Sequence, residues 1–387
     1  MHHRRPRTIA MGTAVALLLT ARFAVAVPHV KIDRFPQEVA TAFTVADGLP
    51  SDDVRSVHLD ARGKVWAETD KGWAAFRDGN WSPADPPSLK TRFGRVPPET
   101  YTAIEATVNQ VAAGPDGRVV AATSEGLLIK TEDGFKSLVV DDGLGRRWGT
   151  SDVRGVAFDS RGRLWFATLA GAACRTAEGW RFYTGDDGLP YNDFTVVRSA
   201  PNGVVWFGTR RGAVRFNGQA WAYRQGRRWL PHDDVRDVAV DPRGDAWFAT
   251  AGGVGRIEQR MMTLAQKAEF YEDEMERYIR RTPLGYVSEV GLARPGDKSK
   301  IIYHDSDNDG LWTSMYGAGE CFAYAATGDP KAKSRAKRAF EALRFLQKVT
   351  QGTEHSPLKG YVARTVISAD QPDPNVGRVQ RDRKARA

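Results

Sequence analysis

Three carboxylates stand at alternate positions before a turn glycine in the C-terminal part of the sequence. They are Asp305, Asp307 and Asp309, and Gly310 follows them. Alternating acidic residues before a glycine are typical of the first half of a calcium-binding loop. The glutamate that would complete such a loop is absent, because Tyr316 occupies the twelfth position. The pattern is therefore interpreted as a calcium site, as an acidic cap that favours the helix dipole, or as part of a substrate site.

A stripe of aromatic and acidic side chains follows the acidic loop. Trp312, Tyr316 and Glu320 recur at four-residue steps, so they would share one face of a helix. Aromatic rings and carboxylates are the groups that bind sugars and carry out glycosidic acid–base chemistry. The same spacing is typical of a helix face buried in a core. The three residues are candidate ligand-binding residues, with core packing as the alternative.

Helical periodicity around these residues predicts three helices. The first begins with a capping box formed by Thr263 and Gln266. The other two are predicted at about 311–326 and 330–349, and Gly328 between them is a helix-terminating residue. The last two helices should therefore form an antiparallel αα-hairpin.

The chain before these helices contains five copies of one repeat, Gly-x-x-Trp-x-x-Thr-x-x-Gly, each preceded by a valine-rich alternating run. The second copy has Val120 in place of the tryptophan. Large aromatic side chains at a fixed repeat position pack between neighbouring units. The repeat therefore predicts a structural core built on four tryptophans, Trp66, Trp165, Trp206 and Trp247.

Each repeat of about 41 residues predicts four short strands, which is the content of one propeller blade. The fold class is therefore an all-β propeller, with five four-stranded blades, plus a partial α-helical C-terminal segment. The last repeat lacks its fourth strand, and the residues at 42–44 match the fourth strand of an earlier repeat. The N-terminal strand is predicted to complete the last blade, which removes exposed sheet edges. Residues 82–107 form a proline-rich insertion.

The DGLP segments at 47–50 and 187–190, together with the D-x-x-G-x-x-W-x-x-T-x-x-G pattern, resemble the two-component-regulator propeller repeat. The resemblance covers about 42–258. It implies ligand sensing or partner binding outside the cytoplasm, and it carries over no catalytic residue.

The acidic loop and the helical hairpin resemble the opening of a six-hairpin (α/α) toroid, over 263–376. Such toroids are common among polysaccharide hydrolases and lyases. Three helices are predicted where a toroid has about twelve, so the segment at 259–376 is expected to be a partial toroid that is truncated or completed by another chain.

Both ends of the chain are basic. Residues 1–26 have a basic start, a short apolar run and the Ala-Val-Ala site typical of a signal peptide cleaved before Val27, with an uncleaved anchor as the alternative. Residues 377–387 are predicted to be a disordered basic tail. Of the net charge of +9, these ends carry all but about one unit. A nearly neutral body excludes an electrostatic footprint for nucleic acid.

The sequence thus predicts an exported, non-catalytic binding or sensing propeller at 27–258. We expect it to be periplasmic or secreted, to have no membrane span after signal cleavage, and to recognise a glycan or an extracytoplasmic protein. Calcium is the single cofactor suggested. Cys174 and Cys321 are expected to be unpaired. The alternative is a fragment of a carbohydrate-active enzyme with a C-terminal toroid.

Overall fold

The computed structural model describes residues 33–86, 96–294, 296–303, 308–368 and 370. Within this part, five four-stranded antiparallel sheets follow one another along the chain like propeller blades, and a helical segment comes after them. This confirms the predicted fold class. The expected signal peptide and basic tail lie outside the described residues.

Consecutive strands form four of the five sheets. The chain opens with β1 (Phe35–Phe43). Sheet 1 consists of β2 (Val54–Leu59), β3 (Val65–Thr69), β4 (Gly72–Arg77) and β5 (Asn80–Pro83). Sheet 2 consists of β6 (Val108–Ala113), β7 (Val119–Thr123), β8 (Gly126–Thr131) and β9 (Gly134–Ser137). A short hairpin follows, with β10 (Val140–Asp141) and β11 (Arg147–Trp148).

The next two sheets follow the same order. Sheet 3 consists of β12 (Gly155–Phe158), β13 (Leu164–Thr168), β14 (Gly171–Thr176) and β15 (Gly179–Tyr183). Sheet 4 consists of β16 (Phe194–Ser199), β17 (Val205–Thr209), β18 (Gly212–Phe216) and β19 (Trp221–Arg224).

Sheet 5 joins the two ends of the propeller. Its strands β20 (Val235–Val240), β21 (Ala246–Thr250) and β22 (Gly253–Met262) come from the last repeat, and its fourth strand is β1. The register runs from Phe35 opposite Met262 to Phe43 opposite Val254. The predicted completion of the last blade by the N-terminal strand is therefore confirmed, and the strand is longer than expected.

Hydrogen bonds explain why the repeat carries its particular residues. In sheet 3, the turn residue Asp159 accepts the indole N–H of Trp165 at 2.9 Å, six residues along the chain. Its carboxylate also accepts two backbone N–H groups in the same turn. The repeat threonine closes the following hairpin, as Thr209 does by donating to the carbonyl of Gly212 at 2.7 Å. In these turns the repeat residues thus satisfy polar groups that would otherwise be buried unpaired.

Apolar side chains pack where one sheet lies against the next. Trp165 is fully buried and packs on Phe207 and Phe216 of sheet 4. Trp247 packs in the same way on Phe76 and Trp81 of sheet 1. These contacts place one apolar core between each of these pairs of sheets, which is the packing expected of propeller blades.

The C-terminal segment combines short hairpins with helices. Helix α1 (Leu264–Glu274) begins with the predicted Thr263–Gln266 capping box and continues as a π-helical turn, Met275–Ile279. Two hairpins follow, β23 (Arg280–Arg281) with β24 (Tyr286–Val287) and β25 (Val290–Arg294) with β26 (Asp297–Tyr303). Helices α2 (Asp309–Thr327) and α3 (Pro330–Lys348) form the predicted αα-hairpin. In the part of the chain that the structure describes, no helix is long and apolar enough to cross a membrane.

Candidate functional site

The β10–β11 hairpin is organised by a single carboxylate, that of Asp142. It accepts the backbone N–H of Leu144 at 2.9 Å and the indole N–H of Trp148 at 2.9 Å. Arg146 donates to the same carboxylate from its backbone and its guanidinium. Burial by itself would raise the pKa of Asp142, but these hydrogen bonds lower it to about 2. The hairpin therefore has a fixed shape and a permanently ionised centre at neutral pH.

Trp148 anchors this hairpin to the propeller. Its side chain is buried and belongs to the core between sheets 2 and 3, which also contains Val120. Its ring lies 4.7 Å from that of Phe182 on β15. The hairpin thus brings an aromatic ring to the core of the one repeat that lacks a tryptophan of its own.

A second loop, after β15, faces the hairpin. Thr184 caps a 3₁₀ turn at Gly185–Asp187, and the Asp187 carboxylate accepts the backbone N–H of Thr184 at 2.9 Å. Gly188 ends the turn with a φ of 82°, which a residue with a side chain rarely adopts. The DGLP segment is therefore a rigid corner.

The two loops enclose a groove of about 580 Å³ beside sheet 3. Its lining combines an aromatic ring, an exposed leucine and charged groups of both signs. The residues that line it include Asp142, Leu144, Arg146, Glu178, Trp180, Arg181 and Asp186. Grooves of this size that combine apolar and aromatic surface with a few polar groups are suited to binding small ligands.

Trp180 is the aromatic platform of the groove. The ring is partly buried, and it packs edge-on against Phe166 at 5.4 Å. The guanidinium of Arg175 lies 5.5 Å from the ring centroid. A tryptophan held by such contacts offers apolar surface to a ligand while losing little conformational entropy.

Charged side chains surround this platform. Glu178, Arg181 and Asp186 are exposed. Hydrogen bonds from its own backbone N–H and from the Thr176 side chain lower the pKa of Glu178. Carboxylates accept hydrogen bonds and guanidinium groups donate them, so the groove presents both kinds of partner next to an aromatic ring. This combination suits a ligand with many hydroxyl groups.

Two of the candidate residues on α2 lie together, in contact with α1. The Tyr316 hydroxyl donates to Glu272 at 2.7 Å and accepts from Arg280 at 3.0 Å. Glu320 is buried beside the same Glu272. Arg335 of α3 forms an ion pair with Glu272 at 3.2 Å and lies 3.9 Å from Glu320. The stripe thus contributes to a polar interface between the three helices.

The carboxyl group of Glu320 in this interface has a raised pKa. Burial is the main cause of the raised pKa of Glu320, and the hydrogen bond and negative charge of Glu272 raise it further, to about 7. The nearby arginines oppose this shift. The folded state holds the Glu320 proton more tightly than the unfolded chain does. The stability that protonated Glu320 contributes is therefore complete below about pH 4.5 and is lost as the pH rises through about 7.

We therefore expect Glu320→Gln to make the helical segment more stable than the wild type at pH 8, by on the order of 2 kcal/mol. The amide replaces the protonated acid, so the variant should show little pH dependence between pH 5 and pH 8. Urea unfolding followed by circular dichroism at 222 nm measures this. Glu341→Gln, on an exposed part of α3, is the matched control. Equal stability of wild type and Glu320→Gln at pH 8 would contradict the assignment.

The remaining residues of the acidic region have different surroundings. Asp305 and Asp307 lie outside the described residues, so the calcium site stays a prediction. Asp309 is buried, forms an ion pair with Arg281 and accepts a hydrogen bond from Thr365 at 2.7 Å. Trp312 is partly buried on α2, and its indole N–H has no hydrogen-bond partner among the described residues.

The four repeat tryptophans do not share one environment. Trp165, Trp206 and Trp247 are buried, at 3% exposure or less, in cores between sheets. Trp66 is only partly buried and belongs to none of these cores. Its indole N–H donates to Asp60 at 3.2 Å, as the repeat requires. For Trp66 the structure thus differs from the expected core role. Both cysteines are free, Cys174 buried and Cys321 exposed.

No protein-family model matches the chain, and a search of the curated proteins found no match. Among solved structures, a streptogramin B lyase is 11% identical, with 58% of this chain and 98% of that chain covered and a TM-score of 0.29. A catalytically inactive virginiamycin B lyase from Staphylococcus aureus with quinupristin is 12% identical, covering 59% and 100%, with a TM-score of 0.35.

The extracellular domain of a putative one-component system from B. thetaiotaomicron is 14% identical, with a TM-score of 0.33. The match covers 59% of this chain and 34% of that chain, so this chain spans about a third of its length. At these identities and scores the likeness has no bearing on what the chain binds. The five sheets described above carry the fold assignment.

Proposed function

We propose that the chain is an exported, non-catalytic binding module whose propeller recognises a glycan in the groove beside sheet 3. The observation that carries the proposal is the position of Trp180 between charged side chains in a groove of about 580 Å³. Sugar rings have apolar faces that pack on tryptophan and hydroxyl groups that pair with carboxylates and guanidinium groups. The groove is formed by rigid loops, so little ordering would oppose binding.

In this proposal the propeller occupies 27–258 and acts in the periplasm or outside the cell after removal of residues 1–26. The helical segment at 259–376 is a second structural unit. A binding role agrees with the position of the groove on loops held by a sheet scaffold, where ligand sites are commonly found.

We expect Trp180→Ala to weaken glycan binding at least about tenfold, since a tryptophan at the centre of a ligand site commonly contributes this much or more. Trp180→Phe should keep most of the affinity, because it preserves an aromatic surface. Arg118→Ala, in an exposed turn of sheet 2, is the remote control. A glycan array identifies the ligand, and calorimetric titration measures affinity. Equal affinity of Trp180→Ala and wild type would refute the groove as the site.

The pair of neighbouring glutamates, Glu272 and Glu320, favours the alternative, a fragment of a carbohydrate-active enzyme. A glycosidase general acid needs a raised pKa of this kind. Both carboxylates, however, lie close to Tyr316 or Arg335 inside the helix interface. We therefore expect the purified chain to release no reducing sugar from the glycans that it binds. Release that disappears in Glu320→Gln would support the enzyme instead.

A further inference from the structure

One flank of sheet 1 differs from the corresponding flank of every other sheet. In the other four sheets, the second and third strands pair small or aliphatic residues on the flank that carries the repeat tryptophan or Val120. These buried pairs are Ala122 with Leu127, Ala167 with Ala172, Gly208 with Ala213 and Ala249 with Val254. In sheet 1 the pair is Glu68 with Trp73, and both side chains are only partly buried.

The packing of the sheets explains why this flank can be polar. The innermost strands of sheets 2, 3, 4, 5 and 1 contact one another in that order, whereas no comparable contact joins β2 of sheet 1 to β6 of sheet 2 in the described part of the chain. The turn glycines show the same break in packing, between sheet 1 and sheet 2. A Cβ at Gly63 would lie 3.1 Å from Pro242 of the neighbouring sheet, but one at Gly117 would meet no described residue within 4 Å.

Sheet 2 covers its own side of this break with a different part of the chain. Its residues Val111 and Ala121 pack against Val96, Tyr101 and Ile104 of the insertion rather than against sheet 1. The opposite flank of sheet 1 is apolar and packs on sheet 5. The polar flank of sheet 1 is therefore not one half of an apolar core.

A hydrogen-bonded group of side chains lies on this flank. Ser56 donates its hydroxyl proton to Glu68 Oε2 at 2.7 Å, and its oxygen lies 2.7 Å from His58 Nε2. Trp66 and Trp73 project from the same face of the sheet, and the His58 ring is 5.4 Å from that of Trp73. The second oxygen of Glu68, Oε1, accepts no hydrogen bond from the described residues.

Charged groups of both signs lie on or beside this flank. The Asp60 carboxylate accepts the indole N–H of Trp66 at 3.2 Å, and the Lys64 ammonium lies 4.6 Å from the same ring. Together with Glu68, these groups give an uncharged polar ligand both acceptors and a donor. Two indole rings with a carboxylate beside them offer stacking surface and hydrogen-bond partners for a polyhydroxylated ring.

We infer that this flank of sheet 1 is a second ligand site, which binds one or two rings of a neutral saccharide. Trp66 and Trp73 supply the stacking surface, and Glu68 accepts hydrogen bonds from the ligand hydroxyls. The ligand class rests on the function proposed for the groove, whereas the location rests on sheet 1 alone.

Calorimetric titration with neutral hexasaccharides (cello-, manno-, xylo- and chitohexaose) tests this inference. We expect two sites per chain in the wild type. Trp73→Ala should lose one site, and Glu68→Gln should weaken that same site about tenfold. Trp180→Ala should lose the other site and leave the flank unchanged. Melting curves check that each variant is folded, and Glu68→Gln, which keeps the shape of the side chain, decides the question if Trp73→Ala does not fold.

Each other outcome has a defined meaning. A single site that Trp180→Ala abolishes overturns the flank and leaves the groove. A single site that Trp73→Ala or Glu68→Gln removes overturns the groove and leaves the flank. Another outcome is that Trp73→Ala leaves the titration unaltered and changes the oligomeric state, which size-exclusion chromatography measures. That outcome would show that the flank packs against protein and would overturn the inference. No binding of any hexasaccharide overturns both sites.

Discussion

A chain that begins at Thr44, and therefore lacks β1, is expected to lose the cooperative unfolding transition of the whole propeller. Strand β1 forms nine residue pairs with β22 as the outer strand of sheet 5. Phe43 at its end is buried against Trp247, Phe76 and Trp81. Deleting a phenylalanine side chain from such a core alone costs about 3–5 kcal/mol, and the truncation also exposes the edge of β22.

Differential scanning calorimetry measures this effect. A chain that begins at Asp33 is the matched control, because it removes the preceding residues and keeps β1. We expect the control to unfold in one transition and the shorter chain to show a broad transition or none. A transition of unchanged temperature and enthalpy in the chain that begins at Thr44 would show that β1 does not hold the propeller together.

Glu38→Ala is expected to destabilise the propeller by about 3 kcal/mol, since removing one partner of a buried ion pair leaves the other charge without compensation. Glu38 lies on β1 with 9% of its side chain exposed. Its carboxylate pairs with Arg215 at 3.2 Å and accepts a hydrogen bond from Arg224 Nε at 2.6 Å. Burial lowers the pKa of Arg215, and the charge of Glu38 opposes this.

Urea unfolding of the Glu38→Ala variant gives the change in free energy. Asp133→Ala is the control, because its ion pair with Lys136 is exposed and such pairs contribute little. Glu38→Gln should fall between the wild type and Glu38→Ala, since the amide keeps one acceptor. If Glu38→Ala and Asp133→Ala have the same small effect, the link that β1 makes from sheet 5 to sheet 4 is not important for stability.

The sequence predicts those elements of the fold whose residue pattern recurs from one repeat to the next. The glycine, tryptophan and threonine spacing identified the five sheets, and the match of residues 42–44 to an earlier fourth strand located β1. The Asp142–Trp148 pair has the same six-residue spacing as Asp159–Trp165. This spacing is the sequence signal of the β10–β11 hairpin.

The groove could not be predicted, because its parts come from different repeats. Trp180 and the hairpin around Asp142 meet only when sheets 2 and 3 pack together. Similarly, Glu320 was expected to bind a ligand, but nothing in the spacing of α1 indicated Glu272 as its neighbour. Trp66 carries the same motif as Trp165, and their environments differ because the sheets next to them differ. Local sequence determines the strand, and tertiary packing determines what covers it.

The central claim is that the propeller is the ligand-binding part of the chain. Hydrogen–deuterium exchange with and without the bound hexasaccharide tests this claim most directly. The amides at 141–148 and 176–187 line or flank the groove. We predict that saturating ligand slows their exchange and leaves the helices at 264–348 unchanged. Unchanged exchange in both loops, with protection confined to the helices, would contradict the account and transfer the binding role to the helical segment.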